Sequence, residues 1–163
     1  MGVFMLHEHA QSIVSLLKTH QKILACAESC TGGLISANIT DVSGASDVFD
    51  RGFVTYSNEA KQDHLGVESE TLAQLGAVSA QTAKEMAKGA LKASQADIAI
   101  SVTGIAGPSG GSAEKPVGLV YIGIAYRDQI DAFEHHFSGS RQDVREQTVI
   151  QAFQHIKDVL GHP

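Results

Sequence analysis

The stretch "KILACAESCTGGLISANITDV" (22–42) changes character halfway along. Its first part, "KILACA" (22–27), has the length and apolar content of a buried strand. Its second part, "TGGLISANITDV" (31–42), reads as a helix, although paired glycines are poor helix starters. A strand running straight into a helix is the repeating join of helix-covered sheets, and such sheets place their sites where the strands' carboxyl ends meet the loops. The join itself, "CAESCTGG" (26–33), crowds one carboxylate, two thiols, two hydroxyls and a glycine pair together.

Outward from this join the pattern repeats with variations. Upstream, "LHEHAQSIVSLLKT" (6–19) puts Ala10, Ile13 and Leu17 on one helical face. Downstream, "SGAS" (43–46) is a turn and "DRGFVTYS" (50–57) a strand. "SNEAKQDHLG" opens with cap-type Ser57 and Asn58, carries Glu59 early and stops at Gly66, as one short helix would. A second helix starts at the N-cap Ser79 and repeats Ala83, Met86, Ala87, Ala90 and Leu91. "DIAISVTG" (97–104) is an alternating strand, followed by the Gly/Pro/Ser-rich loop 104–118. "LVYIGIAYR" (119–127) and "IDAFEHHFSG" (130–139) are two strands joined by a turn, and a last helix from about Arg141 aligns Val149, Phe153, Ile156 and Leu160. The order predicts one domain over 1–163 of the α/β class, or α+β, with a mixed sheet covered by helices in three layers. The alanine-rich helix 80–94 offers a smooth face against which a second copy could pack, which suggests a homodimer or higher homo-oligomer.

Bulk properties narrow the function. The chain has 163 residues, a 43% hydrophobic content and a formal charge of −6. That charge argues against a non-specific nucleic-acid binder, which needs a basic face, but leaves room for a local anion pocket. No run is long and apolar enough to span a bilayer, and "MGVFMLHEHAQ" lacks the pattern of a signal peptide. With two cysteines and no export signal, the expected setting is cytoplasmic and reducing, with free thiols. The clusters His7/His9 and His135/His136 read as solvated surface, and no spacing provides a metal's ligand set.

Several residues could carry chemistry. Ser29 follows a strand and precedes a helix, so N–H groups of the first turn could stabilise an oxyanion near its hydroxyl. The alternative is that Ser29 or Thr31 merely caps the helix. Cys30 is a rival nucleophile, because a thiolate would be activated by the same helix terminus. Lys61 lies in the first turns of the helix after Tyr56 and could serve as a base if desolvation lowered its pKa; a solvated surface lysine is the alternative. The glycines of the loop after Thr103 let backbone amides approach a phosphate, and Arg141 at a helix start could clamp one. Spacing alone leaves each of these choices open.

Taken together and in order, "AESCTGGLISANITDVSGAS", "FDRGFVTYSNEAKQDHLGV", "GAVSAQTAKEMAKGAL", "SVTGIAGPSGGSAEKPVGLVYI" and "FSGSRQDVR" resemble the C-terminal domain family of competence/damage-inducible protein CinA. The resemblance covers most of residues 25–145 and is to the domain in its stand-alone form. It implies hydrolysis of the carboxamide of nicotinamide mononucleotide to nicotinic acid mononucleotide and ammonia, without metal or cofactor. It puts the nucleophile on Ser29, the base on Lys61 and a supporting hydroxyl on Tyr56. It surrounds the substrate with Glu28, Cys30, Thr31, Gly32, Gly33, Thr103, Gly104, Ala106, Gly107 and Arg141. A nucleotide-binding or regulatory domain that has lost turnover is the alternative reading.

Overall fold

In the computed structural model, which describes residues 2–161, the strand-to-helix join leaves an interior strand of a five-stranded sheet. The strands are β1 (Leu24–Glu28), β2 (Phe49–Val54), β3 (Ile98–Gly104), β4 (Leu119–Tyr126) and β5 (Gln129–His136), in the order β2-β1-β3-β4-β5. β1 pairs in parallel with both β2 and β3, while β4 and β5 are antiparallel additions. The α/β class with a mixed sheet is therefore as expected. The carboxyl ends of the three parallel strands lie side by side, and Ser29, Thr55 and Ile105 each follow one of them.

Helices α1 (Val3–His20), α2 (Leu34–Thr40) and α6 (Arg141–Val159) cover one face; α3 (Asn58–Leu65), α4 (Ser69–Leu75) and α5 (Ala80–Lys92) cover the other. The pleat sends alternate residues to opposite faces, and the two faces differ in bulk. Leu24, Cys26, Ile98, Ile100, Val102, Val120, Ile122 and Ile124 fill the α1/α2/α6 side. Ala27, Ala99 and Ala125 meet α5 on the other. This small-residue face lets the α5 backbone approach closely. Ser101 Oγ donates to the Ala83 carbonyl at 2.6 Å, and a methyl group at Gly123 would strike that same carbonyl.

The alanine stripe of α5 therefore has an occupant already. Ala83, Ala87 and Ala90 are fully buried against the sheet, so the smooth face that suggested a second copy is spent inside the domain. Other departures are local. Residues 31–33 form a turn, and α2 begins only at Leu34. β2 ends at Val54, leaving Thr55 and Tyr56 in the connection to α3. The helix α4 was not expected, because its seven residues bury only Leu72 and show no period. Its start is held by Glu85 of α5, which accepts from the Glu68 N–H and Thr71 Oγ1 at 2.8 Å each. Two caps are as read: Ser57 accepts from Ala60 N–H and Ser79 from Thr82 N–H.

α3 packs closely on α5, where the Leu65 carbonyl occupies the space a side chain at Gly89 would need. Alanine favours helix over glycine, yet Gly89→Ala should destabilise the domain by about 1–3 kcal/mol through overpacking. A calorimetric Tm that rises in this variant would refute the close packing.

Candidate active site

Glu28 ends β1 and is fully buried. One carboxylate oxygen accepts from Thr31 Oγ1 at 2.6 Å and Ile35 N–H at 2.8 Å. The other accepts from Ser36 N–H at 3.0 Å and Ser36 Oγ at 2.7 Å. The cap of α2 is thus Glu28, and neither Ser29 nor Thr31 fills that role. A carboxylate suits a helix N-terminus, where N–H groups lack internal partners. Two consequences correct the reading from sequence. Glu28 is turned into the protein and does not reach substrate space, and the α2 donors expected to hold an oxyanion are already committed to it. The chain can bend this sharply because Gly32 and Gly33 adopt φ of 58° and 101°.

Above this carboxylate, Ser29 keeps 8% of its surface exposed, and Lys61 only 1%. Lys61 Nζ lies 3.0 Å from Ser29 Oγ, 2.9 Å from the Thr55 carbonyl and 3.2 Å from the Tyr56 carbonyl. Nζ thus donates towards the Ser29 hydroxyl oxygen and two carbonyls; on losing a proton the amine keeps an N–H for each carbonyl and turns its lone pair to the serine O–H. Burial pushes the Lys61 pKa below its ordinary value, with the Cys30 sulfur acting weakly in the opposite direction. Cys30, by contrast, is buried as a thiol. Burial pushes its pKa up to about 12, against a smaller lowering by its own N–H. Burial thus disfavours the thiolate, the form in which a cysteine is nucleophilic.

Ser29, Cys30 and Lys61 open onto a cavity of about 340 Å³, lined also by Thr103, Gly104, Ala106, Gly107 and Arg141. Arg141 Nη1 donates to the Gly107 carbonyl at 2.9 Å, and Nη2 to Tyr56 Oη at 3.3 Å, joining the glycine loop to the opposite wall. Tyr56, 63% exposed, thus directs its hydroxyl to Arg141 at the rim, and only its backbone carbonyl meets Lys61. Thr103 Oγ1 is occupied by the Ala77 carbonyl at 2.7 Å. Among the described residues the N–H groups of Ala106, Gly107, Ser109 and Gly110 make no hydrogen bond, as an anion-binding loop requires.

Thr31, Gly32 and Gly33 shape the turn without lining the cavity. Ala77, Val78, Ile105, Ser109 and Gly110 line it too: the last three belong to the glycine loop read as an anion site, whereas Ala77 and Val78 belong to the α4–α5 connection, which hydrophobic period cannot place. Among the described residues no group of His, Cys, Asp or Glu gathers to hold a metal, and no helix is long and apolar enough to cross a membrane. Of the two histidine clusters, His7 pairs with Asp41. His135 is half-buried against His155 at 2.9 Å, where it had been read as solvated.

A family model described as the CinA C-terminal domain matches residues 6–160. A competence-damage inducible protein of Caldicellulosiruptor saccharolyticus is 60% identical over 82% of this chain, which spans only 33% of that relative's length. The nicotinamide-nucleotide amidohydrolase PncC of Enterobacter agglomerans is 54% identical over 91% of this chain and 92% of its own. The crystal structure of competence/damage inducible protein CihA from Agrobacterium tumefaciens superposes with a TM-score of 0.92 at 46% identity, covering 96% of each chain. With the family's match running from α1 through α6, the chain belongs to the CinA C-terminal domain family.

Proposed function

We propose that the chain is an amidohydrolase of nicotinamide mononucleotide, releasing ammonia and nicotinic acid mononucleotide through a Ser29 acyl-enzyme. The observation that carries the reading is the buried contact of Lys61 Nζ with Ser29 Oγ at 3.0 Å on the floor of the cavity. The match to PncC along nearly all of both chains supports the choice of substrate.

In this reading the Ser29 hydroxyl attacks the carboxamide carbon while neutral Lys61 takes its proton. The tetrahedral oxyanion is met by the N–H of Cys30, which lines the cavity, since the Ile35 and Ser36 N–H groups of α2 are held by Glu28. Protonated Lys61 then gives its proton to the departing nitrogen, which leaves as ammonia. Water, deprotonated by Lys61, attacks the ester; collapse frees the nicotinic acid product and returns the proton to Ser29. The substrate's phosphate is held by Arg141 and the free amides of the glycine loop. Tyr56 positions Arg141 and, through its carbonyl, Lys61.

Ser29→Ala should lower ammonia release from nicotinamide mononucleotide by roughly 10⁴-fold or more, while Cys30→Ala retains activity within about tenfold. The opposite pattern would move the nucleophile to Cys30.

For Lys61 the sign is set by burial. Its neutral form is the base, the neutral fraction grows with pH, and its pKa lies below the ordinary lysine value. The pH profile of kcat/KM should accordingly rise through one ionisation below 10.5. Lys61→Arg should be as damaging as Lys61→Ala, because arginine keeps its proton. An active arginine variant would assign Lys61 a purely electrostatic role.

Arg141→Ala should raise KM for the mononucleotide by more than it lowers kcat, as loss of uniform binding does. Equal kcat/KM for nicotinamide riboside and the mononucleotide would remove the phosphate from the account.

A further inference from the structure

Arg145 stands one turn after Arg141 on α6, half-buried, and has no part in the chemistry above. Its guanidinium reaches across to the turn that follows Ser29. Nε donates to the Cys30 carbonyl at 3.1 Å, and Nη2 to the Thr31 carbonyl at 2.8 Å. Two consecutive carbonyls held by one planar fork fix two successive peptide planes, because each peptide unit is itself planar. The remaining carbonyl of the turn, Ser29 O, accepts from Gly32 N–H at 3.0 Å. Every carbonyl from Ser29 to Thr31 is thereby tied down. The Cys30 N–H meets only its own thiol, and the Thr31 N–H makes no hydrogen bond among the described residues.

We infer that Arg145 is the positioning residue of the nucleophile turn: by holding the two peptide planes that follow Cys30 it fixes where Ser29 and Cys30, the two turn residues that line the cavity, present their hydroxyl and N–H. The inference rests on Ser29 being the nucleophile, as read above. The clamp acts through position: a displacement of about 1 Å in a catalytic constellation can lower a rate by roughly 10²-fold. Lysine offers one point of charge in place of the fork and cannot hold two carbonyls in register. Arg145 therefore acts on the transition state, whereas Arg141, on the same helix, acts on binding.

The test compares wild type, Arg145→Lys and Arg145→Gln in two assays, each corrected for the folded fraction by thermal melting. The first measures the rate of Ser29 labelling by a fluorophosphonate, which reports an activated serine whatever the natural substrate. The second measures kcat and KM for nicotinamide mononucleotide. Both variants should lose about 10²-fold in labelling rate and in kcat together, with KM within about threefold. The lysine variant, which keeps the charge and the stem, guards against mere misfolding. Labelling at the wild-type rate per folded molecule, or a KM effect with unchanged kcat, would overturn the clamp. If wild type labels at Ser29 but releases no ammonia from the mononucleotide, the substrate reading fails while the labelling rates still decide on Arg145. If wild type does not label at Ser29, the clamp falls with the nucleophile.

Discussion

A carboxylate shut away from water directly beside Ser29 is the constraint from which the rest of the site follows. Burying a charged group is strongly unfavourable unless its hydrogen-bonding capacity is filled. Glu28 meets that condition with donors from Thr31, Ile35 and Ser36 alone, all within eight residues of it. The solution is local in sequence but severe in geometry. It forces the chain to reverse through Gly32 and Gly33, starts α2 three residues later than its composition suggests, and leaves Ser29 at the crest of the bend. The field of the α2 terminus is absorbed by Glu28, so whatever stabilises charge in the cavity has to come from the bend itself.

The lysine is delivered by packing of a different kind. Alanine and serine on one face of β1, β3 and β4 bring α5 close to the sheet, and Gly89 of α5 then admits the α3 backbone at Leu65. Leu65 lies one helical turn beyond Lys61, so the same contact that seals the second core holds the amine inward. A long, flexible side chain is thereby given a fixed position by the backbone around it: Thr55 and Tyr56 supply two carbonyls, and Ser29 the remaining partner. Stability and pocket geometry share these residues.

How much of this could be read beforehand depended on range. Elements whose evidence lies within a dozen residues were legible: the β1–α2 join, the caps at Ser57 and Ser79, the stop at Gly66 and the start of the last helix at Ser140 and Arg141. Ser29, Lys61 and Arg141 were legible as candidates, because each follows a turn at the sheet's carboxyl edge. What escaped was set by contacts distant in sequence. Arg145 touches residues more than a hundred positions away, and nothing in "SGSRQDVR" distinguishes it from its neighbour Arg141. The alanine stripe of α5 looked the same whether it met a twin or its own sheet; only the matching small residues on the strands decide that. Tyr56 and Glu28 lie beside Ser29 and Lys61, but the Tyr56 hydroxyl turns to Arg141 and the Glu28 carboxylate to the start of α2, because adjacency in sequence does not settle where a side chain points.

The thiol next to Ser29 has a bearing on the chemical durability of the site. With its pKa pushed up to about 12 by burial, Cys30 stays a thiol at neutral pH. Peroxide, disulfide exchange and alkylating electrophiles act on the thiolate, and chiefly where it is accessible. Cys26, also free and buried, is pushed in the same direction. A sulfur that burial keeps protonated makes the bend beside Ser29 less open to oxidation than one carrying an accessible thiolate.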